Sequence, residues 1–173
     1  MVRMCLVLGF VAACAGAQVR PVVTAGLVNV GLGPTAFGRS GAPAVVMPFR
    51  VVELGAGAMV GERLGFAAGT AVLEGNLVSD VSFLPVRGYV LYDLTPGGRW
   101  RKGMAYASAT YVHSGQDGWN GGGLGPYVRI AAGSSYTFYV LSGQVEAGYD
   151  WHWRTATLSA GVGLGGFYVL GGR

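Results

Sequence analysis

From Tyr139 onward the odd positions read Tyr139, Leu141, Gly143, Val145, Ala147 and Tyr149, and the even positions read Ser142, Gln144, Glu146, Gly148 and Asp150. Side chains alternate across a strand with period two, so this stretch has one wholly apolar face and one polar face. The next stretch repeats the pattern, with Ala156, Leu158, Ala160, Val162, Leu164 and Tyr168 on one parity and Thr155, Thr157, Ser159, Gly161, Gly163 and Gly165 on the other. Past residue 18, Gly, Pro, Arg or Asp breaks every apolar run. None approaches the ~18 residues that a membrane-crossing helix needs. The apolar residues of this chain must therefore be organised by strands.

Read this way, the chain is expected to form about eight strands, over 22–32, 44–60, 64–74, 81–94, 101–112, 123–133, 136–150 and 154–170. The fourth has Leu84, Val86, Val90, Tyr92 and Leu94 on one face and Pro85, Arg87, Tyr89 and Asp93 on the other. In the first and third, both parities are apolar. The connections alternate in length: 33–43 is long, 61–63 tight, 75–80 intermediate, 95–98 a Pro-Gly turn, 113–122 long and Ser134-Ser135 tight, and 151–153 closes the series on the outer side. Such alternation predicts an even number of antiparallel strands with both chain ends on the tight-turn side.

Composition sharpens this. Glycine supplies 32 of 173 residues and charged residues only 12% of the chain, about half the usual share. The polar parities hold Ser, Thr, Gly and Gln, which suits a crowded interior better than a water-facing sheet surface. Twelve basic residues against eight acidic ones, without a dense cationic stretch, give no nucleic-acid-binding face. A strand of about 9 to 11 residues tilted ~45° crosses a hydrocarbon layer, and Tyr139 to Tyr149 has that length with an aromatic ring at each end.

The first residues read as an export signal. Arg3 is followed by the apolar stretch Cys5 to Ala13 and by the small residues Ala15-Gly16-Ala17. Residues 1–17 are thus expected to be a signal peptide and 18–173 a single barrel domain. Val11-Ala12-Ala13-Cys14 also matches a lipobox, which keeps lipidation of Cys14 open as an alternative. Cleavage after Ala17 removes both cysteines, Cys5 and Cys14, and with them any disulfide or thiolate metal site.

A signal peptide, eight amphipathic strands, alternating loop lengths and aromatic strand ends together resemble the small outer-membrane β-barrels of the OmpA, OmpX and OmpW type. The resemblance spans the mature chain and is architectural, resting on no family motif. Those barrels end on an aromatic residue, whereas Phe167 and Tyr168 are followed here by five further residues. The resemblance implies an all-β, closed antiparallel up-and-down transmembrane barrel in the bacterial outer membrane, with membrane lipid as its partner. Tyr139, Tyr149, Tyr168 and Trp151 would form its lipid-facing girdles, joined by Trp100 and Trp153, while Trp119 lies in the longest loop.

Glu53, Arg87, Arg129 and Glu146 fall on the polar parity and are expected in the lumen, as a selectivity cluster or as a structural plug. Eight strands leave an interior barely wide enough for its own side chains, which favours the plug. Gly55, Gly57, Gly161, Gly163 and Gly165 on that parity would let backbones approach closely. No HExxH, GxSxG or Walker loop occurs, and no metal or cofactor is expected. His113, with Ser114 and Asp117 nearby, and His152 are rim histidines; a lipid-modifying enzyme would need such a His paired with a hydroxyl and a carboxylate. Three non-enzymatic roles remain open. They are a structural or surface-interaction protein, a narrow passage for small solutes, apolar ones included, and an exported or lipidated barrel that binds a hydrophobic ligand inside. The last would turn the apolar parity inward and Arg129 and Glu146 outward.

Overall fold

The computed structural model describes residues 19–38, 43–96, 101–117 and 122–170, so Cys14, Trp100 and Trp119 lie outside the described residues. Eight strands make the wall: β1 (Val19–Ala36), β3 (Pro48–Val60), β4 (Leu64–Asn76), β6 (Val86–Asp93), β7 (Arg101–Val112), β10 (Tyr127–Phe138), β11 (Leu141–Asp150) and β12 (Thr155–Val169). Each pairs antiparallel with the next, and β12 returns to β1, with Val30 opposite Val162 and Val22 opposite Val169. The sheet is thereby closed and has no free edge along the wall. Beyond one rim, β5 (Asp80–Phe83) pairs with β4 and β8 (Gly115–Asp117), β8 pairs with β9 (Gly123–Leu124), and β2 (Val45–Val46) pairs with β1.

The tight turns at 61–63 and 139–140 share one end with Val19, Leu170, the end of β6 and the start of β7, and the connections that follow β1, β4, β7 and β11 share the other. One turn differs from the expectation. Ser134 and Ser135 lie in the middle of β10, opposite Val145 and Gln144, and the chain reverses at Tyr139-Val140 instead. Ser135 is buried and faces inward, where a short hydroxyl side chain fits a narrow lumen as readily as it fits a turn. Tyr139 takes the left-handed backbone conformation the reversal requires, with φ of 55°.

Strict alternation holds along β10, β11 and β12 but is interrupted once on each of four neighbouring segments. Leu27 and Val28 on β1, Val51 and Val52 on β3, Val72 and Leu73 on β4, and Phe83 and Leu84 at the end of β5 are consecutive pairs with inward neighbours on both sides. The pairs lie side by side: Val28 is opposite Val51, Val51 opposite Leu73, and Leu73 opposite Phe83. Val52 and Leu84 carry positive φ, 49° and 48°, at this seam. Across it the parity that faces the lumen switches.

Glycine makes the narrow wall feasible. A Cβ at Gly55, Gly57, Gly161, Gly163 or Gly165 would collide with a main-chain carbonyl of the adjacent strand. Gly165 also has φ of 115°, a conformation closed to most L-residues, where β1 and β12 slip by one residue. At the tight-turn end the interior is filled by Val22, Met59, Ala67, Leu91, Met104 and Phe167, with the rings of Tyr89 and Tyr106 above them. Tyr89 meets Phe167 edge-on at 5.3 Å between centroids.

Candidate functional site

Above this apolar floor the lumen is polar. Arg50 is central, 3.1 Å from Glu146 and 3.5 Å from Glu53. The Tyr106 hydroxyl donates to Glu146 at 2.8 Å, and that of Tyr89 donates to Glu53. A small cavity of about 30 Å³ below Arg50 is walled by Thr24, Asn29, Ser135, Gln144 and Phe167. Gln144 donates to Asn29 across it at 2.9 Å.

A second tier lies nearer the long loops. Arg87 donates from Nε to Thr110 Oγ1 at 2.6 Å and from Nη2 to Glu74. Arg129 pairs with Asp80 and, through Nε at 2.6 Å, with Asp150. Its Nη1 stands 3.9 Å from Glu74, so it links the two pairs electrostatically. Tyr127 donates to Asp80 at 2.9 Å and accepts from Arg129 at 2.7 Å. Near the tight-turn end, Lys102 and Asp93 form a separate buried pair at 2.5 Å.

The four residues expected in the lumen, Glu53, Arg87, Arg129 and Glu146, all stand inside the barrel, each with a partner. Sequence parity missed Arg50, Glu74 and Asp80, which the seam turns inward. Three guanidinium groups, Arg50, Arg87 and Arg129, thus face five carboxylates, Glu53, Glu74, Asp80, Glu146 and Asp150. Charges in so confined a space need partners, because an unpaired one would forfeit hydration with nothing in return.

Of the expected girdle residues, Tyr139 is half exposed on its turn, and Tyr149 and Tyr168 lie on the outer wall near opposite ends. Trp151 is half exposed and stacks edge-on against Tyr149 at 4.8 Å. Trp153 lies instead against the interior, lining the loop-end cavity described below. His113 is exposed just beyond β7, whereas His152 packs on Tyr127 at 5.4 Å between ring centroids. His152 and Trp153 both donate main-chain N–H groups to Asp150 Oδ1, which fixes the 151–154 turn over the second tier. Among the described residues no three His, Cys, Asp or Glu side chains are grouped to hold a metal ion.

Compared with known protein families and curated proteins, the chain matches no family model and no curated sequence. Its functional reading therefore rests on geometry alone.

Proposed function

We propose that this chain is an integral barrel of a bacterial outer membrane whose lumen is largely filled by its own side chains, acting through its long-loop end or passing only small solutes. One observation carries the reading. Among the described residues, no charged side chain stands on the outer wall between the two ends: Glu62, Arg63, Arg101 and Arg154 all lie in turns or at a strand terminus. The wall between them exposes Val162 at 72%, Leu27 at 67% and Leu141 at 59%. An apolar belt of this extent around a soluble protein would drive association; hydrocarbon is the environment it matches.

The tight-turn rim adds support. Arg63 lies over the Tyr92 ring at 5.8 Å and Arg101 over the Phe138 ring at 5.2 Å. The amphipathic Tyr92 ring and the two cations suit the headgroup level. A barrel that stores a hydrophobic ligand inside would need the reverse orientation, with Leu141 and Val145 inward and Glu146 outward, so its lumen chemistry is opposite to what Arg50, Glu53 and Glu146 provide. Fractionation of the cells that express it tests the proposal: the protein is expected with membranes, resistant to alkaline carbonate and released by detergent. Recovery as a soluble protein would overturn it.

A further inference from the structure

The loop-end tier lines a partly open cavity of about 90 Å³. A single water needs only about 10–15 Å³ by a comparable measure, so the space is larger than one trapped water requires. Its walls differ. Pro43, Val46 and Pro48 form an apolar side, and Arg87, Arg129 and Trp153 stand among the polar lining.

Two donors in this lining have no partner. Arg87 is 6% exposed, and although its Nε and Nη2 are engaged, its Nη1 makes no hydrogen bond. The indole Nε1 of Trp153 is likewise buried and unpaired. Buried donors are nearly always satisfied, and leaving one unsatisfied is costly, so this cavity favours an occupant that accepts hydrogen bonds.

Charge narrows the occupant. Arg50, Arg87 and Arg129 line the cavity with Glu74, Asp80, Glu146 and Asp150, a formal excess of one negative charge that opposes an anion. A cation finds its carboxylates taken: Glu74 by Arg87, Asp80 and Asp150 by Arg129, and Glu146 by Arg50 and Tyr106. We propose that the loop-end cavity is a binding site for a small uncharged solute that presents an accepting oxygen to Arg87 and Trp153 and a short apolar group to Pro43, Val46 and Pro48. Simple amides have this chemistry. The inference concerns the lumen and does not depend on what surrounds the barrel.

The test uses the folded full chain in detergent micelles, with acetamide, acetate and methylammonium as size-matched neutral, anionic and cationic probes followed by saturation-transfer NMR. Acetamide is expected to receive saturation and the two ions are not. Trp153→Phe, which keeps an aromatic ring and removes the N–H, should weaken acetamide binding roughly 2- to 10-fold, the range one hydrogen bond commands. Arg87→Lys, which keeps a cation for Glu74 and removes the spare N–H groups, should do the same and covers the case in which Trp153→Phe does not fold. Transfer to none of the probes, stronger transfer to either ion, or unchanged acetamide affinity in both folded variants would overturn the proposal.

Discussion

Arg50 and Glu53, three residues apart on one strand, both point into the lumen and pair at 3.5 Å. Regular alternation forbids this, because residues an odd number apart face opposite sides of a sheet. The consecutive outward residues Val51 and Val52 make it happen, and the matching pairs on β1, on β4 and at the end of β5 carry the same switch around four neighbouring segments. The seam therefore has a chemical product. It delivers Arg50, Glu74 and Asp80 to the lumen, where Glu146, Arg87 and Arg129 meet them from strands on either side of it.

Arg50 is the shared partner of two carboxylates, so its removal leaves Glu53 and Glu146 with only tyrosine hydroxyls. Arg50→Met is expected to destabilise the barrel by about 3–5 kcal/mol, the cost of breaking a buried ion pair from one side. Adding Glu146→Gln should recover part of that loss. Urea titrations of refolding in micelles measure both, and additive effects of the two substitutions would contradict the coupling.

The same seam explains what the sequence made legible and what it hid. Where period two is unbroken, as over Leu141–Asp150 and Thr155–Val169, parity alone separates Val145 and Val162 outside from Glu146 and Ser159 inside. Where it breaks, strict counting from Glu53 puts Arg50 on the outer face, and counting from Leu84 does the same for Asp80 and Ser82. No local signal marks the break, since Val51-Val52 and Val72-Leu73 are ordinary strand residues. The turn after β10 is hidden for a related reason: Ser134-Ser135 has turn chemistry and Tyr139-Val140 does not, yet pairing with β11 over ten residue pairs decides the register.

Val52 bears the local cost of the seam. Its φ of 49° is in the left-handed region, which costs an L-residue about 1–2 kcal/mol and a β-branched one more. Replacement by glycine relieves this at residue 52 but not at its neighbour. Val52→Gly should therefore destabilise less than Val51→Gly, by about 1–2 kcal/mol, in the same refolding titration. Equal losses would mean that the seam stores no such strain.

On the outer wall, Val145 and Leu158 are each about half exposed, and Glu146 is turned inward on Arg50. If the wall lies in hydrocarbon, Leu158→Arg should cost about 2–4 kcal/mol, far more than a substitution at a rim. Spin labels at 145 and 146 should report opposite accessibility to lipid-soluble oxygen. Equal accessibility at the two positions would remove the membrane reading while leaving the barrel intact.

Passage through the lumen meets an apolar floor at the tight-turn end. Phe167, Tyr89 and Tyr106 pack with ring centroids 5.3 to 6.1 Å apart, and Met59, Leu91 and Met104 are fully buried beneath them. An ion arriving from the long-loop side finds compensating charge as far as Arg50 and Glu53, and then an apolar layer that offers none, so desolvation opposes the last step. The unmodified protein is expected to give little or no steady conductance in planar bilayers. Phe167→Ala removes the ring that both tyrosines lean on, and brief small openings are expected from it, whereas Val162→Ala on the outer wall should remain silent. Large, stable conductance steps from the unmodified protein would show that the floor does not close the lumen.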